Sequence, residues 1–222
     1  MQKNPYSTSL SFEPMTPVMY LERSANVYAD QVAVIDGDLR FTYREFRDRS
    51  LRLASLLQSS GVASGDRVAV LARNNHVLLE SHYGIPFAGA VIVALNTRLA
   101  VAEMIHIVAH AGCKVLVHDP TFTAAATQIA QGVGFGLQLI PADRSYEDAL
   151  ENGSGMRRPV EDERGLLALN YTSGTTGAPK GVMYHHRGAY LQSLAMTKHF
   201  DLNSSSAYLW CGFRGFSYTR SD

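Results

Sequence analysis

Leu169-Asn-Tyr-Thr-Ser-Gly-Thr-Thr-Gly-Ala-Pro-Lys-Gly181 carries an apolar run into a turn rich in hydroxyls and glycine, with a single lysine near its end. Leu166, Leu167, Ala168 and Leu169 suit a buried strand, and after Tyr171 the residues favour an open turn. Gly174 and Gly177 lack a Cβ, so the backbone can pass through positive φ and bring its N–H groups close to an anion. Thr172, Ser173, Thr175 and Thr176 add hydroxyl donors, Pro179 after Ala178 stiffens the loop, and Lys180 before Gly181 supplies a mobile point charge. The pattern fits a phosphate cradle; an unliganded surface turn is the plain alternative, and the preceding strand and following Lys-Gly weigh against it.

The two common nucleotide loops do not fit. A Walker A loop ends Gly-Lys-Ser/Thr, whereas here Pro179 precedes Lys180 and Gly181 follows it. No G-x-G-x-x-G follows a strand in this stretch either. The run from Thr172 to Gly181 instead resembles the phosphate-loop signature of the adenylate-forming superfamily, the AMP-dependent synthetases and ligases. Phe41-Thr-Tyr-Arg-Glu-Phe46, Gly65-Asp-Arg-Val-Ala-Val70 and Gly89-Ala-Val-Ile-Val-Ala-Leu-Asn-Thr-Arg-Leu99 are similar to the same superfamily. Leu95 to Leu99 and His186-Arg187-Gly188 look most like its acyl-CoA synthetase branch.

The resemblance implies an α/β fold, the N-terminal part of the adenylate-forming enzyme fold, with mainly parallel sheets flanked by helices and truncated. It implies ATP, Mg2+ and, as a substrate, CoA. It also implies a small-molecule carboxylic acid, a short- or medium-chain fatty acid or an aromatic acid, activated as an acyl-adenylate. Lys180 is the catalytic candidate in this scheme. The loop residues Thr172, Ser173, Gly174, Thr175, Thr176, Gly177, Ala178, Pro179, Lys180 and Gly181 would hold the nucleotide. No metal ligand is assigned.

The resemblance fades near Trp210. Residues 1–210 are therefore expected to be a partial N-terminal domain and residues 211–222 a divergent tail. The acyl-pocket, ribose-binding and C-terminal lysine segments of the superfamily are not found, so independent turnover is not expected. The alternative is a non-catalytic phosphate-binding or interaction fragment, with association with a full-length homologue open to it. A sheet ending here would expose an unpaired edge and apolar surface.

Composition agrees with a globular chain of 222 residues, 46% hydrophobic and 18% charged. Twenty basic and twenty acidic residues cancel, which leaves no electrostatic footprint for nucleic acid or an anionic membrane. Gly84 to Leu95, the longest mainly apolar stretch, is too short to span a bilayer. Cys113 and Cys211 form no C-x-x-C pattern and read as reduced structural thiols. The N-terminus lacks a secretory pattern and the C-terminal Arg-Ser-Asp is not a peroxisomal signal, so an intracellular, cytoplasmic location is expected. An intact relative is compatible with the peroxisome.

Periodicity predicts helices over Tyr43–Ser59, His76–Ala88, Ala100–Ala111 and Phe122–Gln131. Strands are predicted over Arg67–Leu71, Val91–Leu95, Lys114–His118 and Leu137–Ile140, and an exposed connection over Asn152–Arg164. Such alternation argues for βα units. Arg44, Arg47, Arg49 and Arg52, interleaved with Glu45 and Asp48, read as a solvated helix face. His106 and His110 share a helix face at i,i+4, but without a third ligand they read as helix packing rather than a metal site. His185 and His186 read as residues near a helix start.

Overall fold

Between Arg67 and Pro141 the chain alternates strand and helix, and successive strand residues serve opposite cores. The strands are β3 (Arg67–Leu71), β4 (Val91–Ala94), β5 (Cys113–His118) and β6 (Gln138–Pro141), with α3 (His76–Phe87), α4 (Val101–Ala111) and α5 (Thr123–Gly132) between them. They follow α1 (Val18–Val27), β1 (Val32–Asp36), β2 (Leu39–Thr42) and α2 (Tyr43–Ser59). They precede α6 (Arg144–Asn152), β7 (Leu166–Thr172), β8 (Lys180–His185) and α7 (His186–His199). The computed structural model describes residues 13–172 and 179–209.

The main sheet has six strands in the order β6-β5-β3-β4-β7-β8; every pairing is parallel except β7 with β8. Val68 and Val70 of β3 face a core shared with α1, α2, α3 and α6, while Ala69 and Leu71 face one shared with α4 and α5. This period-two split is what a strand buried on both faces requires. The β3-α3-β4 step goes one way along the sheet and β4-α4-β5 returns past β3. With right-handed crossovers, that reversal puts α3 and α4 on opposite faces. The predicted α/β class is observed. β1 and β2 form a separate antiparallel hairpin, which the sequence reading did not anticipate.

Local signals set the element ends. Thr42 caps α2 by accepting from the Glu45 N–H at 3.2 Å, and Glu45 accepts from the Thr42 N–H at 2.8 Å, a reciprocal pair that starts the helix. Gly112 ends α4 at φ 62°, where glycine is unstrained. The Arg67 guanidinium then donates to the freed carbonyls of Ala111 at 2.7 Å and Gly112 at 3.0 Å. The connection after α6 is largely exposed, as predicted, but is pinned by the Arg158 N–H donating to Phe87 O at 2.7 Å.

The arginine-rich face of α2 is not uniformly solvated, which corrects the expectation. Arg44 is 55% exposed at its side chain, but Arg49 is 12% exposed and turns inward. It donates to Glu80 at 2.8 and 3.2 Å and to Glu147 at 2.7 and 2.9 Å, and lies 4.9 Å from the Phe41 ring centre. Tyr146 Oη donates to Glu80 at 2.5 Å, and His76 Nδ1 lies 2.6 Å from Asp36. The partners are distant in sequence, so periodicity along α2 could not reveal them.

This cluster predicts a bell-shaped stability profile. Burial lowers the His76 pKa, but Glu147 and Asp36 outweigh it and hold the pKa above its ordinary 6.5. A raised folded-state pKa gives stability that is full below about 6.5 and lost as pH rises through the folded value. His76, helped by Arg49, holds Glu147 down to about 2 from an ordinary 4.5. That contribution is present above about 4.5 and fades as pH falls toward 2. Urea midpoints measured against pH should therefore decline on both sides of roughly pH 5–6, and His76→Gln should flatten the alkaline arm. An unchanged alkaline arm in His76→Gln would remove His76 as its source.

Candidate nucleotide-phosphate site

β7 lies parallel to β4, with Ile92 beside Ala168, so Thr172 emerges at the same carboxyl edge as the ends of β3, β4 and β5. In open α/β sheets this edge is where ligands are held. The chain returns as β8, antiparallel to β7, with Thr172 opposite Lys180 and Tyr171 opposite Gly181. The predicted loop thus connects two antiparallel strands rather than a strand and a helix. That geometry accounts for the failure of both common nucleotide motifs.

Thr172, Lys180 and Gly181 are exposed and Pro179 is half-buried, so the first and last parts of the predicted cradle are brought together where β7 ends and β8 begins. Lys180 forms no ion pair among the described residues. Ser173, Gly174, Thr175, Thr176, Gly177 and Ala178 lie outside the described residues. The predicted tail, 211–222, does so too.

The base of the hairpin has a support that the sequence reading missed. Tyr171 Oη lies 2.7 Å from His110 Nδ1, and the two rings meet edge to face. A Cβ on Gly181 would stand 3.2 Å from Tyr171 Cζ, so the phenol lies close over the glycine. His110 and Tyr171 are 61 residues apart. A tyrosine facing a glycine across the loop was the available signal, but the histidine partner had none.

The other histidines singled out in the sequence lie on α4 and at the start of α7. The His106 and His110 rings stack 5.9 Å apart, and no group of three or more metal-ligating residues occurs among the described residues. His185 caps α7 by accepting from the Gly188 N–H at 2.8 Å, and His186 Nδ1 lies 2.8 Å from Thr16 Oγ1 in a buried contact. Burial, reinforced by His185, pulls the His186 pKa below its ordinary value. Both fit the expected place at a helix start. Cys113 is free and buried, and burial pushes its thiol up to about 12, well away from the reactive thiolate form. An open cleft between α1, β1, α2 and α3 is lined by Tyr20, Tyr43 and Tyr83 among others, with no loop residue in its wall. All six residues of β8 are exposed, Met183 at 74%. No described helix is long and apolar enough to cross a membrane.

Comparison with known proteins places this arrangement. A family model described as AMP-binding enzyme matches residues 21–217. The 4-hydroxybutyrate–CoA ligase 2 of Metallosphaera sedula is 34% identical over 215 residues, covering 90% of this chain and 39% of that protein. The peroxisomal benzoate–CoA ligase of Arabidopsis thaliana is 34% identical over 220 residues, covering 89% of this chain and 38% of its own length. The chain therefore spans about 40% of the length of such curated relatives. Among solved structures, the Mycobacterium tuberculosis fatty acyl CoA synthetase superposes with a TM-score of 0.70 at 31% identity, covering 78% of this chain and 35% of that one. The hairpin-borne loop, the parallel sheet behind it and the match over most of its length agree: the chain belongs to the AMP-binding enzyme family.

Proposed function

We propose that the chain carries the ATP-phosphate cradle of an AMP-forming acid–CoA ligase. The observation that carries this reading is the hairpin that sets Thr172 opposite an exposed Lys180 at the sheet's carboxyl edge. In the proposed reaction a carboxylate oxygen attacks the α-phosphorus of ATP. The bond to pyrophosphate breaks; the CoA sulfur then attacks the acyl carbon of the acyl-adenylate, its proton is released, and the acyl–oxygen bond breaks to free AMP and leave the thioester. ATP supplies the phosphoanhydride whose cleavage drives the acylation. Lys180 would offset charge growing on the departing pyrophosphate, and the Thr172 hydroxyl would donate to a phosphate oxygen. Pre-placed donors of this kind stabilise a transition state without reorganising. Gly181, with no side chain, admits the Tyr171 phenol beside Lys180. The described residues supply no ligand cluster for Mg2+, and no step is assigned to it.

The acid is proposed to be a small aliphatic or aromatic carboxylic acid, the range named by the 4-hydroxybutyrate and benzoate ligases. The proposal takes residues 1–210 as the family portion and 211–222 as a divergent tail, and an intracellular, cytoplasmic location. A second reading, an interaction fragment that pairs with a longer homologue, is favoured by the exposed β8 edge, because an open strand is a template for another strand.

Carboxylate-dependent exchange between ATP and labelled pyrophosphate tests the first reading, with acetate, butyrate, octanoate and benzoate as acids. Lys180→Ala should reduce exchange roughly ten- to a hundredfold, the effect of losing a charged hydrogen bond. Exchange equal in both chains would remove Lys180 from the site. Folded protein without exchange would favour the second reading.

A further inference from the structure

His110 and Tyr171 lie outside the predicted cradle, yet they meet at the point from which it springs. Tyr171 is the last β7 residue before Thr172, and its cross-strand partner Gly181 is next to Lys180. The phenol is held at two places: its ring lies close over Gly181, and its Oη reaches His110 Nδ1 in the last turn of α4. Leu169 and Tyr171 pack against the core beneath α4 and α5. Every β8 residue is exposed, whereas Ala168 of β7 packs against the opposite core farther from the loop. The loop-proximal end of the hairpin is thus tied to the body of the fold from the α4 side.

We propose that His110 and Tyr171 are positioning residues for the phosphate cradle, fixing the Thr172–Lys180 pair relative to the sheet's carboxyl edge. The proposal rests on the reading of the loop as an ATP-phosphate site. A one-residue slip in a strand pair turns every side chain to the other face, and a shift of about 1 Å in a bound group is enough to degrade a reactive geometry. Lys180 has a flexible stem and no partner of its own among the described residues, so its backbone placement has to come from the strand it starts. Burial raises the Tyr171 pKa, which keeps the phenol protonated and able to donate. His110 stands on the surface, where the hydrogen bond does not serve the core.

The test is binding of ATP with Mg2+ to the 222-residue chain, by equilibrium dialysis with labelled nucleotide. The variants are Tyr171→Phe, His110→Ala, their double variant, His110→Asn and Lys180→Ala. Tyr171→Phe and His110→Ala should each weaken binding roughly three- to tenfold, as for one hydrogen bond. The double variant should be no weaker than either single, because both remove the same contact. His110→Asn places an amide oxygen near the Nδ1 position and should restore most of the affinity, which a general loss of packing would not allow. If Lys180→Ala abolishes binding while Tyr171→Phe and His110→Ala bind like the parent, the positioning role is wrong and the cradle stands. If the parent chain does not bind ATP, or Lys180→Ala binds equally well, the cradle reading fails and takes the positioning role with it.

Discussion

Arg49→Ala is expected to lower the unfolding free energy by about 3–5 kcal/mol, the usual consequence of stranding one member of a buried ion pair. Its principal partner, Glu80, has no exposed side-chain surface, so water cannot replace the guanidinium. Burial pushes the Glu80 carboxyl pKa up, while Arg49 and then Tyr146 pull it down. Three donors are aimed at its two oxygens and oppose the burial that leaves its pKa above the ordinary value. Removing two of them leaves only the tyrosine hydroxyl. Such a loss is a large share of the roughly 5–15 kcal/mol typical of a folded protein. The triple variant Arg49→Met, Glu80→Leu, Tyr146→Phe should recover most of it, because apolar groups of similar size need neither a counter-charge nor a partner for the buried hydroxyl. Urea denaturation followed by circular dichroism reads both. A loss under about 1 kcal/mol in Arg49→Ala, as for an exposed pair, would show that Glu80 takes up a proton at little cost.

What local sequence pattern reveals ends at residues such as Arg49, whose partners lie elsewhere in the chain. Helix α2 was legible to its ends, Tyr43 and Ser59, because its apolar spacing and its cap lie within one segment. Strands β3 to β6 and helices α3 to α5 were legible for the same reason, with bounds that moved by at most one residue. Arg49 was misplaced because what distinguishes it from Arg44 is Glu80 and Glu147, 31 and 98 residues away. The phosphate loop was legible as chemistry, since its glycines, hydroxyls and lysine are contiguous. Its setting was not. Lys180-Gly-Val-Met-Tyr-His185 becomes a strand by pairing with β7 along its whole length while remaining exposed on both faces, so it lacks the alternation that marks a half-buried strand. The β1–β2 hairpin was hidden similarly: Ile35 at 66% and Leu39 at 47% exposure blur any apolar face.

Gly84→Val is expected to destabilise the fold by about 2–3 kcal/mol, at the upper end for an overpacked core. Gly84 sits inside α3, where glycine costs about 1 kcal/mol relative to alanine, so its presence calls for a reason. A Cβ at this position would stand 2.7 Å from Leu53 Cδ2, 2.8 Å from Cγ and 2.9 Å from Cβ. The last of these atoms is fixed to the α2 backbone and cannot swing away. Leu53 is itself fully buried, so the two helices would have to separate. Leu53→Ala alone should cost about 2–5 kcal/mol through the cavity it leaves. Combined with Gly84→Val, the loss should fall short of the sum by about 1 kcal/mol or more, because the valine would occupy that space. Thermal or urea unfolding of the four chains closes the cycle, and simple additivity would mean that α2 and α3 do not meet through this pair. The contact matters beyond stability because α3 leads directly into β4, and β4 is the strand against which β7 lies. Helix separation at Gly84 would therefore act on the sheet position that sets Thr172 and Lys180. Weakened ATP binding in Gly84→Val, restored in the double variant, is the expected sign of that linkage.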